Sequence, residues 1–285
     1  MPTKLHLLIP ILLLALFTLF SCSGGEMEQK KVTYSSLKNI PDTAWDKLSK
    51  KRMFFGHQSV GYNIITGIEQ LLKEHPDIKL NIKKTRDVMD MEVPVLAHDW
   101  IGSNMKPSTK TQAFKDTLRG GIGKKVDIAF MKFCYVDITS NTNVNELFNI
   151  YKETVEELKN EYPSVTFIHL TTPLTAKPQG FQAVKQTGKN IIKKILGWPV
   201  FDHKDNINRN EFNELMKQEY SGTEPIFDLA AIEFTKPDRT KSGFENDGKI
   251  IPTLFNGYTY DGGHLNEQGS RLVAAKMLIF LINLV

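Results

Sequence analysis

Cysteine is scarce in this chain: there are two, Cys22 and Cys134, among 285 residues. That count excludes both a disulfide framework and a cysteine-rich metal site. Charge of one sign is lacking too. Lysine and arginine number 36 against 32 aspartates and glutamates, a scattered net charge of +4. Such a balance makes no basic stripe, so nucleic acid is not an expected partner. No Gly/Ser/Pro-rich stretch interrupts the middle and no segment repeats, which leaves no linker for a second large domain. With 41% hydrophobic residues, the chain can bury one full core. The apolar runs at the two ends both fall short of a comfortable membrane span.

The first of those runs, Leu5 to Phe20, follows Lys4 and leads into "LFSCSGGE". It resembles a bacterial lipoprotein signal, with residues 1–21 removed and Cys22 lipidated. The resemblance implies a cell-envelope protein (outer membrane, periplasmic or surface-exposed) held to the membrane by a lipid at Cys22. Residues 22–45 are then a tether and lead-in, and 46–285 form the domain. Cys134, in an apolar stretch, reads as a small buried hydrophobe.

Within the domain, short apolar runs alternate with amphipathic ones. Met53 to Phe55 reads as a buried strand, and Ile64, Ile65, Ile68, Leu71 and Leu72 recur at helical spacing until Pro76. Strands follow at Ile78–Lys84, Val126–Phe133, Val165–Leu170 and Pro225–Ala230. Helices are expected from Leu147 to Tyr162, around Lys189 to Lys194, from Arg209 to Tyr220 and from Ser270 to Leu284. Alternation of this kind predicts an α/β fold: three layers, α/β/α, around a mostly parallel sheet of about five strands.

Two stretches carry chemistry. "GHQSVG", Gly56 to Gly61, sets Ser59 between the first strand and a helix. Near the far end, "YDGGHLNEQG" holds Asp261 and His264 three apart across two glycines. A carboxylate there can reach one ring nitrogen and leave the other free to take a proton from a serine. Taken alone, Ser59 could equally be a helix cap, and Asp261 and His264 a turn aspartate and a surface histidine.

An early strand-end serine paired with a late D-x-x-H resembles the SGNH/GDSL hydrolase superfamily, over essentially the whole domain. "DGGHLNEQG" is the closest match. The first block departs from G-D-S, since His57 and Gln58 precede Ser59, and "MKFCYVDI" lacks the asparagine of the third block. The resemblance implies an SGNH/flavodoxin-like fold and a serine esterase with Ser59, His264 and Asp261 as catalytic residues. The oxyanion would be held by the N–H groups of Ser59 and Gly102, with Tyr135 or Asn104 as the side-chain donor. Its substrates would be O-acyl esters, O-acetyl groups on polysaccharide among them. An O-acyltransferase, or a catalytically silent glycan-binding lipoprotein, would share the same fold. His57 and Trp100 are candidates for substrate contact, the indole because its face suits a sugar ring. His98 and Asp99, with His57 or His203, match no recognised ligand spacing, so no metal is expected. The reaction needs no cofactor.

Overall fold

The "MFF" run is the centre of β1 (Arg52–His57), the strand around which the others assemble. Met53 and Phe55 enter one hydrophobic cluster and Phe54 the other, because successive strand side chains point to opposite faces. A strand buried on both faces reads as a continuous apolar run, and this one does. The computed structural model describes residues 33–179 and 202–285. The expected signal sequence (residues 1–21), Cys22 and the helix expected near Lys189–Lys194 therefore lie outside the described residues.

Among the described residues, the main sheet has six strands in the order β2-β3-β1-β4-β5-β6, all pairs parallel. The others are β2 (Ile82–Lys84), β3 (Val95–Trp100), β4 (Ile128–Met131), β5 (Thr166–Leu170) and β6 (Ile226–Phe227). On one face lie α1 (Asp42–Ser49), α2 (Ser59–Glu74), the short α6 (Leu229–Phe234) and the final helix α7 (Glu267–Leu284). The other face is covered by α3 (Pro107–Arg119), α4 (Val144–Glu161) and α5 (Asn206–Tyr220). This is the expected three-layer α/β/α architecture, with one strand more than the sequence reading gave.

That extra strand is β3. Its sequence, VLAHDW, ends in polar and aromatic residues that break the apolar run, yet His98 is buried with Val95, Leu96 and Ala97. Two other expectations shift. The strand expected at Pro225–Ala230 stops at Phe227, because the Asp228 carboxylate accepts the Ala231 N–H at 3.0 Å and starts α6. The expected lead-in up to residue 45 is partly core. Tyr34 exchanges two hydrogen bonds with Asn283, and Trp45 and Leu48 are buried against the final helix layer. A hairpin of β7 (Gly243–Asn246) and β8 (Lys249–Pro252) was not foreseen, though Asp247-Gly248, both at positive φ, is a strong two-residue turn signal. No helix among the described residues is long and apolar enough to cross a membrane.

Because β1 is central and the chain continues to both sides of it, its carboxyl end is a topological switch point. Ligands of open parallel sheets bind at such switch points. Ser59 follows β1 there.

Candidate active site

The junction of β1 and α2 decides how Ser59 can be used. Gln58, not Ser59, is the cap residue, and it makes no side-chain cap bond. Its amide instead donates to the carbonyls of Ile101 and Gly102, at 3.1 and 2.9 Å. Ser59 is the first helical residue, so its hydroxyl is not spent on capping. Ser59 Oγ lies 3.9 Å from Cys134 Sγ. The backbone N–H of Ser59 has no partner among the described residues, as expected for a first-turn donor, and lies at the positive end of the helix.

His57 lies beneath this turn. It is fully buried, with Nε2 2.9 Å from His98 Nδ1 and Nδ1 3.3 Å from the Gln58 carbonyl. A β-carbon on Gly61 would come within 2.3 Å of His57 Cβ, which is why glycine stands there. Burial, with His98 and Lys132 nearby, pushes His57 down to about 2; burial takes His98 to about 4. His57 is thus a buried, neutral brace beneath the turn. His203 pairs with Asp202 and packs on Phe244, away from the two histidines' own contacts.

The second stretch is a self-contained loop. Asp261 Oδ1 accepts the N–H groups of Gly263 and His264, at 2.9 and 2.8 Å, while Oδ2 lies 2.7 Å from His264 Nδ1. Burial opposes ionisation of Asp261, but the hydrogen bonds from the His264 ring, the His264 N–H and the Gly263 N–H outweigh it and hold the carboxyl at about 2. With Nδ1 engaged, Nε2 of His264 carries the free lone pair.

Two contacts tie this loop to α2, the helix that Ser59 begins, and to the segment after β4. Asn63, one helical turn beyond Ser59, accepts the Leu265 N–H at 3.2 Å. Tyr135, next to Cys134, sets its hydroxyl 3.5 Å from His264 Nδ1 and its ring edge-on to the imidazole. A β-carbon on Gly263 would lie 2.5 Å from the Tyr135 ring, so this approach needs glycine. Burial, reinforced by Asp261, pushes the Tyr135 phenol up, and it stays protonated. Ser59 Oγ and the imidazole are not hydrogen-bonded to each other.

Gly102 follows β3 at φ +55, and a β-carbon there would meet the backbone of Thr109 and Lys110 at 2.6 Å. Its N–H has no partner among the described residues. Asn104 Oδ1 accepts from Lys110 Nζ at 2.9 Å. Trp100 is half-exposed, with the Lys84 ammonium 4.7 Å over its ring.

Several buried polar residues near the site had no part in the sequence reading. Lys110 forms a fully buried ion pair with Asp137. Lys132 donates to the Phe133 carbonyl and to Cys134 Sγ, at 3.2 and 3.5 Å, so Cys134 is buried as expected but not simply apolar. Arg209 donates to the Tyr135 carbonyl at 2.8 Å and to Asn206 Oδ1 at 2.7 Å. Burial pushes Glu233 up to about 8. One sequence signal was available: Asn206, Arg209 and Asn213 share the helical stripe of Phe212 and Met216, which marks them as inward-facing.

No protein-family model matches the sequence, and no curated protein matches it significantly. Several solved structures are similar. One is the periplasmic domain of a lipopolysaccharide acetyltransferase from Salmonella ser. Paratyphi A, with TM-score 0.46 and 11% identity, covering 84% of this chain and 88% of that chain. A candidate SGNH hydrolase from Slackia heliotrinireducens gives TM-score 0.45 and 14% identity over 83% of this chain and 100% of its own. A candidate acylhydrolase from Bacteroides fragilis gives TM-score 0.45 and 15% identity over 86% and 96%. These are likenesses of fold.

Proposed function

We propose that the chain is a serine esterase of the SGNH/GDSL kind, hydrolysing O-acyl esters through Ser59, His264 and Asp261. What supports this reading is a hydroxyl free of capping on the first residue of α2, together with a histidine whose Nδ1 is held by a carboxylate. Ser59 Oγ attacks the ester carbonyl carbon while His264 Nε2 takes its proton. Asp261 holds the tautomer and stabilises the imidazolium that forms. The N–H groups of Ser59 and Gly102 receive the oxyanion. Collapse of the tetrahedral species breaks the C–O bond, and His264 returns the proton to the leaving alcohol. Water, deprotonated by His264, then releases the acid and restores Ser59.

O-acetyl groups on a polysaccharide are the substrates this reading favours, with Trp100 as a platform for a sugar ring. In the same reading Cys22 carries a lipid that holds the protein to the membrane. Purified protein lacking residues 1–21 should hydrolyse p-nitrophenyl acetate and acetylated xylan. Ser59→Ala and His264→Ala should each lower kcat by about 10⁴-fold or more; rates close to wild type in either variant end the proposal. Product analysis with a sugar acceptor present separates hydrolysis from acyl transfer. Cys22→Ala should release the full-length protein from membranes, and continued retention would refute the anchor.

A further inference from the structure

Ser59 and His264 share no hydrogen bond, so their spacing is set by whatever joins α2 to the loop that carries the imidazole. Within that loop the histidine is fixed at its N–H, its ring and its carbonyl. Asp261 Oδ1 accepts the N–H at 2.8 Å, Asp261 Oδ2 engages the ring, and the Thr259 hydroxyl donates to the carbonyl at 2.6 Å. Those bonds give the loop its shape. They leave open where it sits relative to Ser59.

The hydrogen bond that reaches α2 is made by Asn63. Its Oδ1 accepts the N–H of Leu265 at 3.2 Å, across 202 residues of sequence. The His264 carbonyl and the Leu265 N–H belong to one planar peptide group. Thr259 therefore holds one end of that plane and Asn63 the other. Asn63 stands four residues after Ser59, so the two side chains share a face of α2, with β-carbons about 6 Å apart. Packing supplies a coarser restraint. A β-carbon on Gly67 would meet the Ser270 carbonyl oxygen at 2.4 Å, and Leu265 is buried in the cluster that holds Val60 and Ile64. Apolar packing is non-directional, whereas a hydrogen bond weakens steeply with angle, so the bond sets the finer position. Asparagine is a poor helix former, and α2 carries one at this point nonetheless.

We propose that Asn63 is a positioning residue: by gripping the peptide that follows His264, it sets the separation of the Ser59 hydroxyl and the imidazole. This rests on the esterase reading. A misplacement of about 1 Å can cost about 100-fold in rate. Asn63→Ala should therefore lower kcat on p-nitrophenyl acetate by about 10- to 100-fold, with KM within about twofold. Alanine is the better helix former, so that variant should fold. Asn63→Asp keeps an acceptor oxygen in the same place and should bring kcat back to within about threefold of wild type. Normal kcat in Asn63→Ala, or equal losses in the alanine and aspartate variants, overturns the role. Hydrogen exchange of the Leu265 amide reads the grip without turnover. It should be slow in the wild type and about tenfold faster or more in Asn63→Ala, with Ile68 of the same helix unchanged; equal Leu265 rates in the two proteins overturn the proposal. An inactive wild type that shows this exchange pattern, or an active Ser59→Ala, counts instead against the esterase reading alone.

Discussion

The two halves of the candidate site are built in opposite ways. The histidine half is a short exposed loop in which one carboxylate, Asp261, accepts three hydrogen bonds from residues two and three positions away. The serine half is fixed from below by buried and half-buried polar groups far apart in sequence: His57 on His98, Gln58 on Gly102, and Lys110 on Asp137. The contrast teaches that one half can be damaged without harming the fold, while damage to the other reaches the fold and the chemistry together.

Asp261→Asn should separate the two halves most sharply. Its kcat is expected to fall about 10⁴-fold, because the imidazole loses its tautomer control. Thermal stability should change little, since the loop is exposed; a large drop in melting temperature would break the contrast. Lys110→Ala should do the reverse in emphasis. It leaves the buried Asp137 carboxylate without its cation, a loss of about 3–5 kcal/mol in denaturant unfolding. Gly263→Ala should be milder. The added methyl must displace the Tyr135 ring, at a cost of about 1–3 kcal/mol, and activity should fall by more than stability does.

Titration offers a finer distinction. His57 and His98, held at about 2 and 4 against an ordinary 6.5, bind fewer protons folded than unfolded. Their contribution is fully present above about pH 6.5 and is lost progressively as the pH falls through 4 toward 2. Asp261, near 2 against an ordinary 3.8, loses its smaller, solvent-screened contribution only below about pH 4. Glu233, at about 8, works in the opposite direction, favouring the fold as pH falls from 8 to 4.5. Comparing wild type with His98→Gln cancels the Glu233 and Asp261 contributions. The stability difference between them should shrink from pH 6.5 to 4; a constant difference would show that the pair does not resist protonation.

The same contrast explains what could be read from the sequence. The Asp261–His264 unit was legible because its geometry is local, set by three residues of spacing and two glycines. The strands β1, β4 and β5 were legible because burial on both faces makes them continuous apolar runs. β3 was not, since its buried His98 finds a partner in His57, 41 positions earlier. Nothing local in "PSTKTQAF" marks Lys110 as buried: its partner Asp137 lies 27 residues on, and only the folded sheet brings them together. Likewise the role of Gln58 depends on β1 and β3 being neighbours, so that its amide meets the carbonyls after β3. Polar residues whose partners are remote look like surface residues until the topology is known.

The most direct test of the shared site is covalent labelling by p-nitrophenyl diethyl phosphate followed by peptide mass spectrometry. One diethylphosphoryl group should be transferred to Ser59 and only there, with release of p-nitrophenol, and the reaction should all but vanish in His264→Ala. No adduct, or one at Ser59 formed equally fast without the imidazole, would contradict it.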